Sequence, residues 1–125
     1  GIISTGVMLQ NLRTSSLDND LNLTRDGYHM DNGLSRYAAS CTVFESIITP
    51  KFNVTLDGNT YRYATSNTTE GSYTTPVTDE NAPIAIQAAR YAIQSPYVVT
   101  DMSNYKATVP DNSIADVEYE EGNKE

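Results

Sequence analysis

The stretch from Leu34 to Ile48 constrains the fold more than any other part of the sequence. Leu34, Tyr37, Ala38, Cys41, Phe44, Glu45 and Ile48 recur at the i, i+3, i+4, i+7 spacing of an amphipathic helix. Asn32-Gly33 precedes the run, with Asn32 suited to the N-cap, and Pro50 is expected to end it. Cys41 falls on the apolar side, where a free thiol behaves as a small core hydrophobe.

Around this helix the chain divides into shorter signals. Ile2 and Ile3, halted by Ser4-Thr5-Gly6, suit the end of a buried strand and a turn, and Val7 to Arg13 suits a short helix carrying Val7, Met8, Asn11 and Leu12. Thr14 to Thr24 is a polar loop that Leu17, Leu21 and Leu23 are expected to pin to the body. Phe52 to Leu56 and Thr60 to Ala64 flank Asp57-Gly58-Asn59, which reads as a β-hairpin. Thr65 to Thr74 reads as an exposed loop. A second helix opens after Thr78, with Asn81 as the alternative cap and Pro83 in its first turn. Its broad stripe (Ile84, Ala88, Tyr91 and Ala92, beside Ile86, Ala89 and Ile93) suggests packing against a sheet. Ser95-Pro96 ends it, Tyr97 to Thr100 reads as a short extended segment, and residues 106–125 form an acidic, frayed end.

The chain has 125 residues, enough for one ordinary domain, and its 38% hydrophobic share is adequate for a core. Sixteen acidic residues against eight basic ones set a formal charge of −8. That balance argues against nucleic acid or an anionic membrane as partner, since both repel an acidic surface. No run approaches the length of a membrane span. One cysteine and one histidine exclude an intrachain disulfide and leave a zinc site short of ligands, so neither metal nor cofactor is expected.

The single histidine carries the chemistry. His29 follows Asp26 by three residues with Gly27 between, just ahead of the long helix. A loop of this kind can present an Asp–His pair in which the carboxylate accepts one ring N–H and leaves the other nitrogen free as a base. Arg25 is a candidate to pair with Asp26 or to grip a substrate group, and Tyr28 is a second candidate substrate contact. Tyr61, Tyr63 and Tyr73 suit either stacking on sugar rings or half-buried strand packing.

The runs Leu23-Thr24-Arg25-Asp26-Gly27-Tyr28-His29 and Gly33-Leu34-Ser35-Arg36-Tyr37-Ala38-Ala39, with Ile2-Ile3-Ser4-Thr5-Gly6 upstream, resemble the C-terminal part of an SGNH (GDSL-like) hydrolase. They are similar in particular to a bacterial subfamily with a tail after its last helix. The resemblance implies an α/β fold: the C-terminal fragment of a flavodoxin-like three-layer architecture, with a β-hairpin and a further helix added. Residues 1–50 would be the end of the hydrolase core, 51–105 a tail packing on it, and 106–125 the acidic terminus. Asp26 and His29 would be two members of a Ser-His-Asp triad acting on an ester or an acylated carbohydrate, in a bacterial parent that is periplasmic or secreted.

The family's Gly-Asp-Ser block and its Gly and Asn oxyanion blocks have no counterpart in this sequence. The chain begins Gly1-Ile2, so it is expected to be a piece that pairs with a missing N-terminal part or with itself and is inactive alone. The alternative is a non-catalytic binding or interaction domain that keeps the Asp-x-x-His loop by descent.

Overall fold

The computed structural model describes residues 1–18, 23–62 and 75–107. Among these residues there are four α-helices: α1 (Thr5–Thr14), α2 (Leu34–Val43), α3 (Thr49–Phe52) and α4 (Ala82–Gln94). A 3-10 turn at Ser16–Asp18 follows α1, and a π-helical turn at Phe44–Ile48 joins α2 to α3. Helices α1, α2 and α4 pack against one another around a core that includes Met8, Leu12, Leu34, Ala38 and Cys41.

The expected α/β architecture is not observed. No strand occurs among the described residues; the only β pairing there is an isolated antiparallel bridge between Thr24 and Met30. Ile2 and Ile3, expected at the end of a buried strand, are irregular and exposed, and the helix begins directly after them. Tyr97 to Thr100 is likewise no strand. It leaves α4 through a turn whose Val98 N–H donates to Ser95 O, and then returns over α1. There the buried Asn11 side chain donates to Ala88 O (3.2 Å) and accepts from Thr100 N–H (2.7 Å), and Met102 N–H donates to Thr14 Oγ1 (2.7 Å).

Helix α4 therefore faces helices, not a sheet. Ala82, Ala85, Ala88, Ala89 and Ala92 are all fully buried, and side chains this small let its backbone approach α1 and α2 closely. Its start draws on both of the expected caps, with Asn81 next to the helix and the capping bonds made through Thr78. Asn81 precedes the helix and Pro83 sits in the first turn, while Thr78 N–H donates to Asn81 Oδ1 (2.8 Å) and Asn81 N–H to Thr78 Oγ1 (3.1 Å).

The long helix passes the expected stop at Pro50. Proline has no N–H to donate, but the wider turn before it, in which Thr49 N–H donates to Phe44 O, changes the register. Pro50 then lies in the first turn of α3, where its missing donor is not needed. The helix ends at Asn53, which takes the left-handed conformation (φ 55°) and donates its N–H to Thr49 O.

A buried carboxylate removes the hairpin. Glu45, in the π-helical turn and on the apolar stripe, is buried: its Oε2 accepts Leu56 N–H (3.0 Å) and the Thr49 hydroxyl (3.1 Å), and its Oε1 accepts Arg90 Nε (2.6 Å). Phe52 is helical, and Leu56 spends its amide on Glu45, so no ladder forms. The Asp57-Gly58 turn remains, with Asn59 N–H donating to Leu56 O and Gly58 at φ +80°. Of the expected second arm, Tyr63 and Ala64 lie outside the described residues, as do the loop at 65–74, Leu21 and the acidic end from residue 108.

Candidate functional site

The Asp26–His29 loop is a narrow turn standing on α2. Arg25 N–H donates to His29 O (2.9 Å) and Asp31 N–H to Leu23 O (3.1 Å), the two bonds that flank the Thr24–Met30 bridge. Asp26, Gly27 and Tyr28 make the reversal, and Gly27 has φ +101°, a conformation that side chains rarely adopt.

Asp26 organises the turn through both oxygens. Oδ1 accepts the backbone N–H of Tyr28 (3.1 Å) and of His29 (2.7 Å), and Oδ2 meets His29 Nδ1 in a short contact. The His29 side-chain bond, then the His29 backbone bond, hold the Asp26 carboxyl well below the usual carboxylate range. An ionised carboxylate only accepts, so Nδ1 carries the proton and Nε2 is left as the basic nitrogen. Among the described residues nothing bonds Nε2. The His29 side chain is 51% exposed, and the Tyr28 ring lies over it with centroids 4.3 Å apart. Tyr28 itself is 80% exposed.

The loop is anchored by Asp31, which the sequence reading did not single out. It is fully buried: Oδ1 accepts Ser35 N–H and Oδ2 accepts Thr75 N–H, each at 2.7 Å. Ser35 Oγ donates to Leu23 O (2.7 Å), and Leu34 N–H to Thr75 O (2.9 Å). One side chain thus caps α2, ties in the segment at residue 75, and sits beside the base of the Asp26–His29 turn. An aspartate just before a helical run is the local signal for such a cap; Gly33, not the expected Asn32, stands at the N-cap position, and Asp31 supplies the bond.

Other expected residues fall elsewhere. Arg25 does not pair with Asp26; among the described residues its guanidinium has no ion pair, and its Nε is buried without a partner. Tyr61 is exposed beyond α3, and Tyr63 and Tyr73 lie outside the described residues. Cys41 is buried in the core, where loss of solvent pushes its thiol up to about 12. Among the described residues no group of side chains is placed to hold a metal ion, and no helix is long and apolar enough to cross a membrane.

Residues 1–80 match the family described as Domain of unknown function (DUF4886). The chain belongs to that family. The match takes in the Asp26–His29 turn, Asp31 and Thr75, and stops just before α4. No curated protein and no solved structure matches the DUF4886 chain.

Proposed function

We propose that Asp26 and His29 are the orienting acid and the general base of a serine ester hydrolase whose nucleophile comes from outside the described residues. The observation that carries this reading is the state of the histidine ring: Nδ1 is held by an ionised carboxylate, the ring is half exposed, and nothing among the described residues bonds Nε2. In that arrangement Nε2 takes the serine proton as the hydroxyl attacks an acyl carbonyl, and Asp26 stabilises the imidazolium that forms. The proton then passes from Nε2 to the leaving alcohol, and the second half-reaction repeats the cycle with water. Arg25 and Tyr28, on the same turn, are the proposed substrate contacts. An acylated carbohydrate fits the resemblance set out above.

The test is hydrolysis of a short-chain acyl ester by the longest natural polypeptide that carries this segment. His29→Ala should lower kcat about 10²–10⁴-fold, the range of a lost general base, with the amide spectrum of the domain unchanged. Full hydrolysis in the variant, or no hydrolysis in the parent, refutes the reading. A non-catalytic binding loop is the second reading, favoured by the exposure of Tyr28 and its contact with the His29 ring. It takes the place of the first if the parent binds acylated sugars without hydrolysing them.

A further inference from the structure

Taking the Asp26–His29 pair as the reacting centre, we propose that Arg25, opposite His29 on the turn, recognises a carboxylate, so that the ester this site acts on carries a carboxylate close to its scissile bond. The hairpin register brings the two residues together. Thr24 and Met30 form the bridge, and the bond from Arg25 N–H to His29 O makes Arg25 and His29 the next opposing pair. Opposing residues across an antiparallel pair leave it on the same side, with Cβ atoms about 4.5–5.5 Å apart. A carboxylate paired with an arginine on that side would lie beside the His29 ring and leave Nε2 free for the ester.

Among the described residues no carboxylate compensates the charge on Arg25. Asp26, the nearest carboxylate in sequence, is already engaged by His29 and two backbone amides. Two other arginines with buried guanidinium nitrogens are neutralised: Arg62 pairs with Asp79 (3.2 Å), and Arg90 with Glu45 (2.6 Å) and Asp57 (3.0 Å). Arg25 has a buried Nε and no such partner among the described residues. In a chain with twice as many acidic as basic residues, a half-buried arginine with no carboxylate partner among the described residues is suited to receive an anion. The planar guanidinium fork matches the two oxygens of a carboxylate. No bond is made or broken in this step; it is recognition only.

The experiment is a titration of the isotope-labelled chain at constant ionic strength, following the Arg25 Nε–H, Tyr28 and His29 signals. The probes are monomethyl succinate, which has a carboxylate and an ester, the neutral dimethyl ester, and inorganic phosphate. Monomethyl succinate should give saturable shifts confined to these residues, and the dimethyl ester none. Affinity should fall at least about tenfold, equivalent to the loss of one charge-assisted contact, in Arg25→Gln. Arg25→Lys, which keeps the charge and loses the fork, should fall between, and the exposed Arg36→Gln should match wild type. Equal shifts from the neutral ester, unchanged binding in Arg25→Gln, or no saturation overturns the proposal. Equal or tighter binding of phosphate overturns the carboxylate assignment. None of these readouts needs a nucleophile, so a failure here is distinct from a failure of the hydrolase reading, which the His29→Ala assay decides.

Discussion

Removing the Asp31 carboxylate should unfasten the base of the candidate site. In Asp31→Ala, the N–H groups of Ser35 and Thr75 lose their 2.7 Å acceptor oxygens. Neither can turn to water without local opening, because Ser35 is fully buried and Thr75 nearly so. A hydrogen bond to a charged group is worth about 1.5–3 kcal/mol, and the pair sets an upper range of about 3–6 kcal/mol. Those figures are already net of desolvation, and the two bonds share one carboxylate, so the lower end applies: a loss of about 3 kcal/mol, which for a domain of this size lowers Tm by about 10–15 °C.

Asp31→Asn separates the two contacts. The amide oxygen can still accept one N–H, but the NH₂ then faces the other, so the loss should be about half as large. Thermal unfolding measures the total, and amide hydrogen exchange locates it: the N–H groups of Arg25 and Asp31, which close the turn onto His29 O and Leu23 O, should exchange faster in both variants. A loss below about 1 kcal/mol in Asp31→Ala, or unchanged exchange at Arg25 and Asp31, would show that the turn holds itself without this anchor.

Two further outcomes follow from the interior. Burial pushes the Glu45 carboxyl up, but the Arg90 bond, with the Leu56 amide, the Arg90 charge and the Thr49 hydroxyl, brings it below its ordinary value. A carboxyl lowered in the folded state contributes stability that is present above its unfolded value, near 4.5, and is lost as pH falls through the folded one. Acid titration of stability should show this loss, and Arg90→Gln, which leaves burial unopposed by the cation, should move Glu45 upward and destabilise the fold at neutral pH by about 3 kcal/mol. A Glu45 titration unmoved in that variant counts against the network. Cys41, with its thiol pushed up to about 12 by burial, should not react with a disulfide reagent at pH 8 until the protein is unfolded in guanidinium; rapid labelling of native protein contradicts its place in the core.

What could be read from the sequence was whatever depends on neighbours one or two turns away. The Leu34–Val43 helix, the α4 start at Asn81 and the buried position of Cys41 follow from apolar spacing and caps, and those interactions are local. The errors arise where a distant group overrides a local preference. Asp57-Gly58 is a sound turn signal, but the carboxylate of Glu45, eleven residues upstream, takes the Leu56 amide that a ladder would need. Glu45 did carry a usable signal, since a charge on an apolar helical stripe has to find a cation, and Arg90 is that cation. The apolar breadth of α4 does not distinguish a sheet from two helices as its partner. Asp31 is legible only in part: its cap on Ser35, four residues on, is a local signal, but its bond to Thr75, 44 residues away, is not.

The Asp26–His29 contact lies at the opposite extreme, because the bonds that Asp26 and His29 make to each other, to Tyr28 and to Arg25 all fall within residues 25–29. Bonds this local set the contact whatever its use, so it serves equally well as a structural turn or as half of a catalytic site. Asp26→Asn tells these apart. The asparagine oxygen keeps the acceptor for the Tyr28 and His29 amides, and with it the turn. Its NH₂ group replaces Oδ2 and cannot accept from Nδ1–H, so the ring turns over to the other tautomer, with the proton on Nε2 where a base is needed. The same exchange in a Ser-His-Asp triad lowers kcat about 10⁴-fold with the geometry intact. For the proposed hydrolase the expected result is therefore an unchanged backbone amide spectrum, a change in the His29 ring-nitrogen shifts from the Nε2-basic to the Nδ1-basic form, and a collapse of kcat with KM little altered. A collapse of kcat accompanied by loss of the turn would assign Asp26 a structural role, and full activity with the tautomer reversed would remove His29 from the mechanism.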